Sequence, residues 1–77
     1  MKIEIGDKLT RMLGGTLPME VIVGSITEDT FRVGSADGKI THDEGWIFCS
    51  RTGYEIDHRL KWGPQYGTSG SFIKEIK

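Results

Sequence analysis

Glycine punctuates this chain so often that no long helix fits between its breaks. Eleven glycines are spread along 77 residues, a density twice the usual ~7%. Spacing of that kind demands many tight turns between short elements. A hydrophobic fraction of 36% and a charged fraction of 27% are too apolar for a disordered chain and too broken by charge for a membrane span. Together these features predict one small all-β domain over residues 1–77.

So short a domain draws roughly 3–5 kcal/mol from its core unless something staples it. The single Cys49 excludes an intramolecular disulfide and a zinc knuckle, and points to a reducing compartment. The opening MKIEIGDKL lacks the apolar run of a signal peptide, so a cytoplasmic location is expected. Charge is even: residues 1–40 hold five Lys/Arg against six Asp/Glu, and residues 41–77 hold five against five. Without a basic excess the chain is a poor partner for duplex nucleic acid, whose phosphates supply most non-specific affinity.

Alternation predicts the strands. Ile3 and Ile5 alternate with charges, Gly6-Asp7 turns the chain, and Lys8 to Leu13 continues as strand rather than helix. Gly14-Gly15 breaks it, and Pro18 argues against a central strand at that point. Met19 to Thr27 is the best strand, with Met19, Val21 and Val23 on one face, Ile22 and Ile26 on the other, and Gly24 as a bend or bulge. Thr30 to Gly34 completes a hairpin. Asp37-Gly38 is a turn signal, with Ile40-Thr41 as a short return strand. Trp46 to Cys49 and Tyr54 to Asp57 form a second hairpin, and Phe72 to Ile76 closes the chain. Asp57 can cap one turn through Leu60 before Gly63-Pro64 stops it. Five or six short antiparallel strands at this spacing predict a small SH3-like barrel, with an OB-like barrel as the alternative.

Several landmarks together resemble a group of small uncharacterised bacterial proteins. They are Gly6-Asp7 with Arg11, Gly14-Gly15-Thr16 followed by Pro18-Met19, and Trp46 with Phe48. Further along come Thr52-Gly53 with Glu55-Ile56-Asp57, Trp62-Gly63-Pro64 and Gly70-Ser71-Phe72. The resemblance spans nearly the whole chain and implies a compact unit, with no chemistry attached. The Gly-Asp-x-Leu opening also resembles the first strand of SH3-like barrels.

Few residues suggest chemistry. His42, Asp43 and Glu44 are consecutive, and chain neighbours seldom point at one ion, so they read as a solvated loop and no metal site is expected. Glu55 and Asp57 share a strand face and are expected to accept backbone or arginine hydrogen bonds rather than divide acid and base roles. Cys49 follows Trp46-Ile47-Phe48 and reads as a core or half-core thiol. Ser69-Gly70-Ser71 and Gly14-Gly15-Thr16 lack the lysine and strand–helix setting of a phosphate loop. No cofactor is expected.

Trp62 and Tyr66 stand out, in a Gly/Pro-rich connection beside Arg59 and Lys61. Aromatics among cations and turn residues build peptide grooves and base-stacking surfaces. Trp62 has a second reading, as a lid over an open end of the core. The chain is therefore expected to be a non-catalytic interaction module, binding a protein or peptide through Trp62, Tyr66, Arg59, Lys61 and Arg51. The alternative is a nucleic-acid-binding barrel in which Arg11, Arg32, Arg51, Arg59 and Lys61 frame the stacking rings. Monomer and weak dimer both fit the sequence.

Overall fold

A computed structural model describes residues 2–66 and 70–76. Its strands are β1 (Lys8–Leu13), β2 (Leu17–Ile26), β3 (Thr30–Ser35), β4 (Trp46–Cys49) and β5 (Phe72–Ile73), with a 3-10 turn at Pro64–Tyr66 before the last. All pairings are antiparallel, in the order β4-β3-β2-β1-β5. Four strands follow one another as a meander and β5 returns beside β1, which is an SH3-like order without the Greek-key crossing of an OB barrel. No helix among the described residues is long and apolar enough to cross a membrane.

The strand expected at Tyr54 to Asp57 is reduced to isolated bridges, yet it closes the barrel. Cys49 N donates to Tyr54 O and Ile56 N to Ile47 O, each at 2.9 Å. On its other side Glu55 N donates to Ser71 O at 2.9 Å and Ile73 N to Gly53 O at 2.8 Å. The segment is thus stitched between β4 and β5 and leaves neither as a bare edge. The return strand expected at Ile40-Thr41 amounts to one backbone bond, from Ser35 N to Ile40 O.

Two details of β2 differ from the sequence reading. The strand runs back through Pro18, opposite Met12. The proline is tolerated because β3 pairs only from Val21 onward, so no ladder bond is asked of its missing N–H. Gly24 is the expected bulge: the register slips between Val23 and Ser25, and Ile26 comes to lie opposite Phe31. The bulge therefore moves Ile26 to the face of Phe31, away from Ile22. His42 fills the space where a Gly24 Cβ would stand; this holds the 36–45 loop against the sheet. Asp43 and Glu44 of that loop are exposed.

Inside lie Leu9, Val21, Val23, Phe31, Val33, Phe48 and Ile73, with Ile3, Met19, Trp46 and Ile76 packed around them. The rings of Phe31 and Phe48 stack at 5.7 Å. One charged pair is buried with them. Arg11 is 4% and Glu55 3% exposed. Arg11 Nε donates to Glu55 Oε1 at 2.9 Å, and Nη2 lies 2.9 Å from the same oxygen. The Arg11 Nη1 group reaches Met19 Sδ at 3.6 Å, and its guanidinium lies 4.2 Å from the Trp46 ring centroid. Ser71, fully buried, accepts from Gly14 N at 3.0 Å through its hydroxyl and from Glu55 N at 2.9 Å through its carbonyl. The ion pair ties the closing segment to β1, and the Glu55–Ser71 backbone bond ties it to the approach to β5, while the Met19 and Gly14 contacts brace β1 against β2 and Ser71 against the β1–β2 turn.

Burial raises the Glu55 pKa more than the Arg11 charge and hydrogen bonds lower it, with Asp57 raising it further and Ser71 lowering it. A raised carboxyl pKa means the folded state holds its proton longer than the unfolded chain does. The stability this provides is full below the unfolded pKa and is lost as pH rises through the folded one. Urea melts should show wild type losing stability relative to Glu55→Gln as pH rises from about 4 to 7. A flat difference across that range would contradict the raised pKa.

Candidate functional site

The residues singled out between Arg59 and Tyr66 form a small hydrogen-bonded projection. Asp57 and Trp62 face each other as a two-way bridge, with Trp62 N donating to Asp57 O at 2.9 Å and Asp57 N to Trp62 O at 3.1 Å. As expected, Asp57 caps the turn: its Oδ1 accepts from Arg59 N at 3.0 Å and Leu60 N at 3.2 Å. A carboxylate does this because its short side chain reaches back to amides two and three residues on. Lys61 N completes the loop to His58 O at 3.4 Å.

The turn has a price in backbone conformation. Lys61 has φ 58°, the left-handed region, and is the sole non-glycine residue there among those described. A side chain in that region clashes with its own backbone, at a cost of roughly 1–2 kcal/mol. Elsewhere the described chain uses glycine for positive φ, at Gly6, Gly14, Gly15, Gly38, Gly53 and Gly63. Beside Lys61 the turn carries Arg59, exposed, and Leu60, 51% exposed.

The 3-10 turn anchors the far side. Tyr66 is half-buried, and its hydroxyl lies 2.6 Å from His58 Nδ1 with the two rings edge to face. Gln65 Nε2 is 3.4 Å from the same nitrogen. Trp62 is half-buried and stands outside the main core, its indole occupying the space a Gly70 Cβ would need. It thus packs against the turn that leads into β5.

Arg51 belongs to another place. It lines a cavity of about 470 Å³ with Glu28, Asp29, Cys49 and Ser50. Cys49 is buried there, as expected. Burial raises its thiol pKa, but hydrogen bonds from Thr52 and the Arg51 amide, with the Arg51 charge, bring the pKa below the ordinary value. Of the cations set against a nucleic acid, Arg11 is the clear correction: it points into the barrel toward Glu55. Its place between Leu9 and Leu13 was the available signal, since all three share one strand face. Ser69 and its turn lie outside the described residues, so the Ser69-Gly70-Ser71 reading rests on its last two positions. Gly70 makes room for the Trp62 indole, and Ser71 O accepts from Glu55 N. No group of three or more His, Cys, Asp or Glu able to hold a metal ion occurs among the described residues.

Sequence reasoning missed Leu60, an apolar residue between two cations in a polar segment, and the His58–Tyr66 bond. No protein-family model, curated protein or solved structure matches the chain.

The Trp62–Gly70 contact makes a direct prediction. Gly70→Ala puts a methyl group into the indole and should cost about 1–3 kcal/mol in a urea melt. The Trp62 signal of a fluorotryptophan-labelled sample should shift while that of Trp46 stays. An unmoved Trp62 signal with an unchanged melt would show that the indole does not rest on Gly70.

Proposed function

We propose that this domain is a non-catalytic interaction module that holds a protein or peptide on the 57–66 projection. The observation that carries this reading is the pairing of a left-handed Lys61 with a half-exposed Leu60 at the tip of a closed hairpin. Backbone strain at a non-glycine residue gathers at functional sites, where the side chain matters more than the strain. A lysine kept where glycine would be easier is consistent with contact made by that side chain. The exposed leucine adds the apolar anchor that a small interface needs. Trp62 and Tyr66 support the tip from behind in this arrangement. Its single thiol fits a reducing, cytoplasmic setting.

The nucleic-acid alternative loses Arg11 to the core, and the remaining cations Arg32, Arg51, Arg59 and Lys61 sit in a chain of net charge −1. Steady phosphate neutralisation is poorly served by that balance.

A pull-down from native lysate, with and without nuclease, compares wild type with Leu60→Ser and Tyr66→Ala. Each variant is first checked for a cooperative melt. The expected result is a protein retained after nuclease by wild type and lost with Leu60→Ser. Retention that depends on nucleic acid would replace this function with the alternative, and a partner indifferent to both variants would move the face elsewhere.

A further inference from the structure

The charge of the chain divides at the root of the projection. Ten of the eleven acidic residues lie within positions 1–57, together with six of the ten cations. Positions 58–74 contain Arg59, Lys61 and Lys74 and no carboxylate at all. The even balance between the two halves of the chain hides this, because the acidic Asp43, Glu44, Glu55 and Asp57 precede the hairpin tip. Asp57 itself turns Oδ1 onto the amides of Arg59 and Leu60, so that oxygen is occupied by the loop's own backbone.

We infer that the occupant of this face is an acidic protein segment, with carboxylates flanking an apolar side chain. This rests on the proposed function of the 57–66 projection as a binding face. Leu60 supplies the apolar contact, and the exposed Arg59 and Lys61 stand on either side of it in sequence. Carboxylates spaced around an apolar residue match that order of charge, leucine, charge. The guanidinium of Arg59 takes a carboxylate in a two-point fork, and the ammonium of Lys61 takes one as a point charge. The acidic remainder of the domain repels the same segment, so the approach is steered to the projection. A basic segment meets the reverse field and is turned away from it.

The test uses the full chain and fluorescein-labelled peptides that share one leucine–phenylalanine core, flanked by glutamates, lysines or serines. Fluorescence anisotropy reads the affinities. The glutamate peptide is expected to bind wild type best and to weaken roughly tenfold between about 50 and 300 mM sodium chloride. The double variant Arg59→Glu with Lys61→Glu, melting like wild type, should lose the glutamate peptide by tenfold or more and gain the lysine peptide. Equal binding of the glutamate and lysine peptides, or a glutamate peptide indifferent to the charge reversal, would overturn the acidic partner. If the serine peptide binds as tightly as the glutamate one and Leu60→Ser abolishes both, the interaction face stands and the acidic class falls. If no peptide binds, the inference falls, while the lysate pull-down decides the face independently.

Discussion

A guanidinium buried inside a small β-barrel constrains everything around it. Arg11 leaves water because it lies on the inward face of β1, between Leu9 and the hairpin end. Its charge has to be met there, and Glu55 meets it with one oxygen shared by two nitrogens. Breaking such a pair strands a charge at a cost of about 3–5 kcal/mol, comparable to the whole stability of a domain this size. Burial still raises the Glu55 pKa, so the attraction of Arg11 does not cancel the cost of taking that carboxylate out of water. The pair therefore contributes position more than net stability. It fixes Glu55, and with it the one segment that joins β4 to β5.

The binding projection inherits its place from that joint. Two residues beyond Glu55, Asp57 opens the hairpin bridge to Trp62 and caps its turn. Trp62 then rests on Gly70, one residue before the Ser71 whose carbonyl accepts from Glu55 N. Both contacts thus lead back to Glu55, the residue that the buried pair fixes. A loop so held can present a strained lysine and an exposed leucine without collapsing onto the barrel. Order at the tip is what lets two cations and one apolar side chain act together, because less motion is lost on binding.

The barrel was legible from the sequence because its core strands obey the period of two. Val21 and Val23, Phe31 and Val33, and Trp46 and Phe48 alternate inward as the pattern requires. Gly24 read as a bulge for the same reason. The segment at Tyr54 to Asp57 was harder: it alternates like a strand but pairs with β4 and β5 only through isolated bridges, Glu55 with Phe48 and Tyr54 with Phe72. Pro18 misled because a missing donor matters only where a neighbouring strand asks for it. At the site, the cap at Asp57 was visible in local chemistry. The burial of Arg11 was visible only in its parity with Leu9, which its charge obscured. The approach of Gly70 to Trp62 joins residues eight apart through a Gly-rich connection, and no periodicity reports such a contact.

The central claim is that Arg11 and Glu55 act as one unit that closes the barrel. A double-mutant cycle by urea unfolding at neutral pH tests it directly, using Arg11→Met, Glu55→Met and the two together. The account predicts that each single change costs about 3–5 kcal/mol, while the double variant returns most of that loss, because no charge is left unpaired. Single losses that simply add, to within about 0.5 kcal/mol, would show that the two side chains contribute independently and that something else closes the barrel.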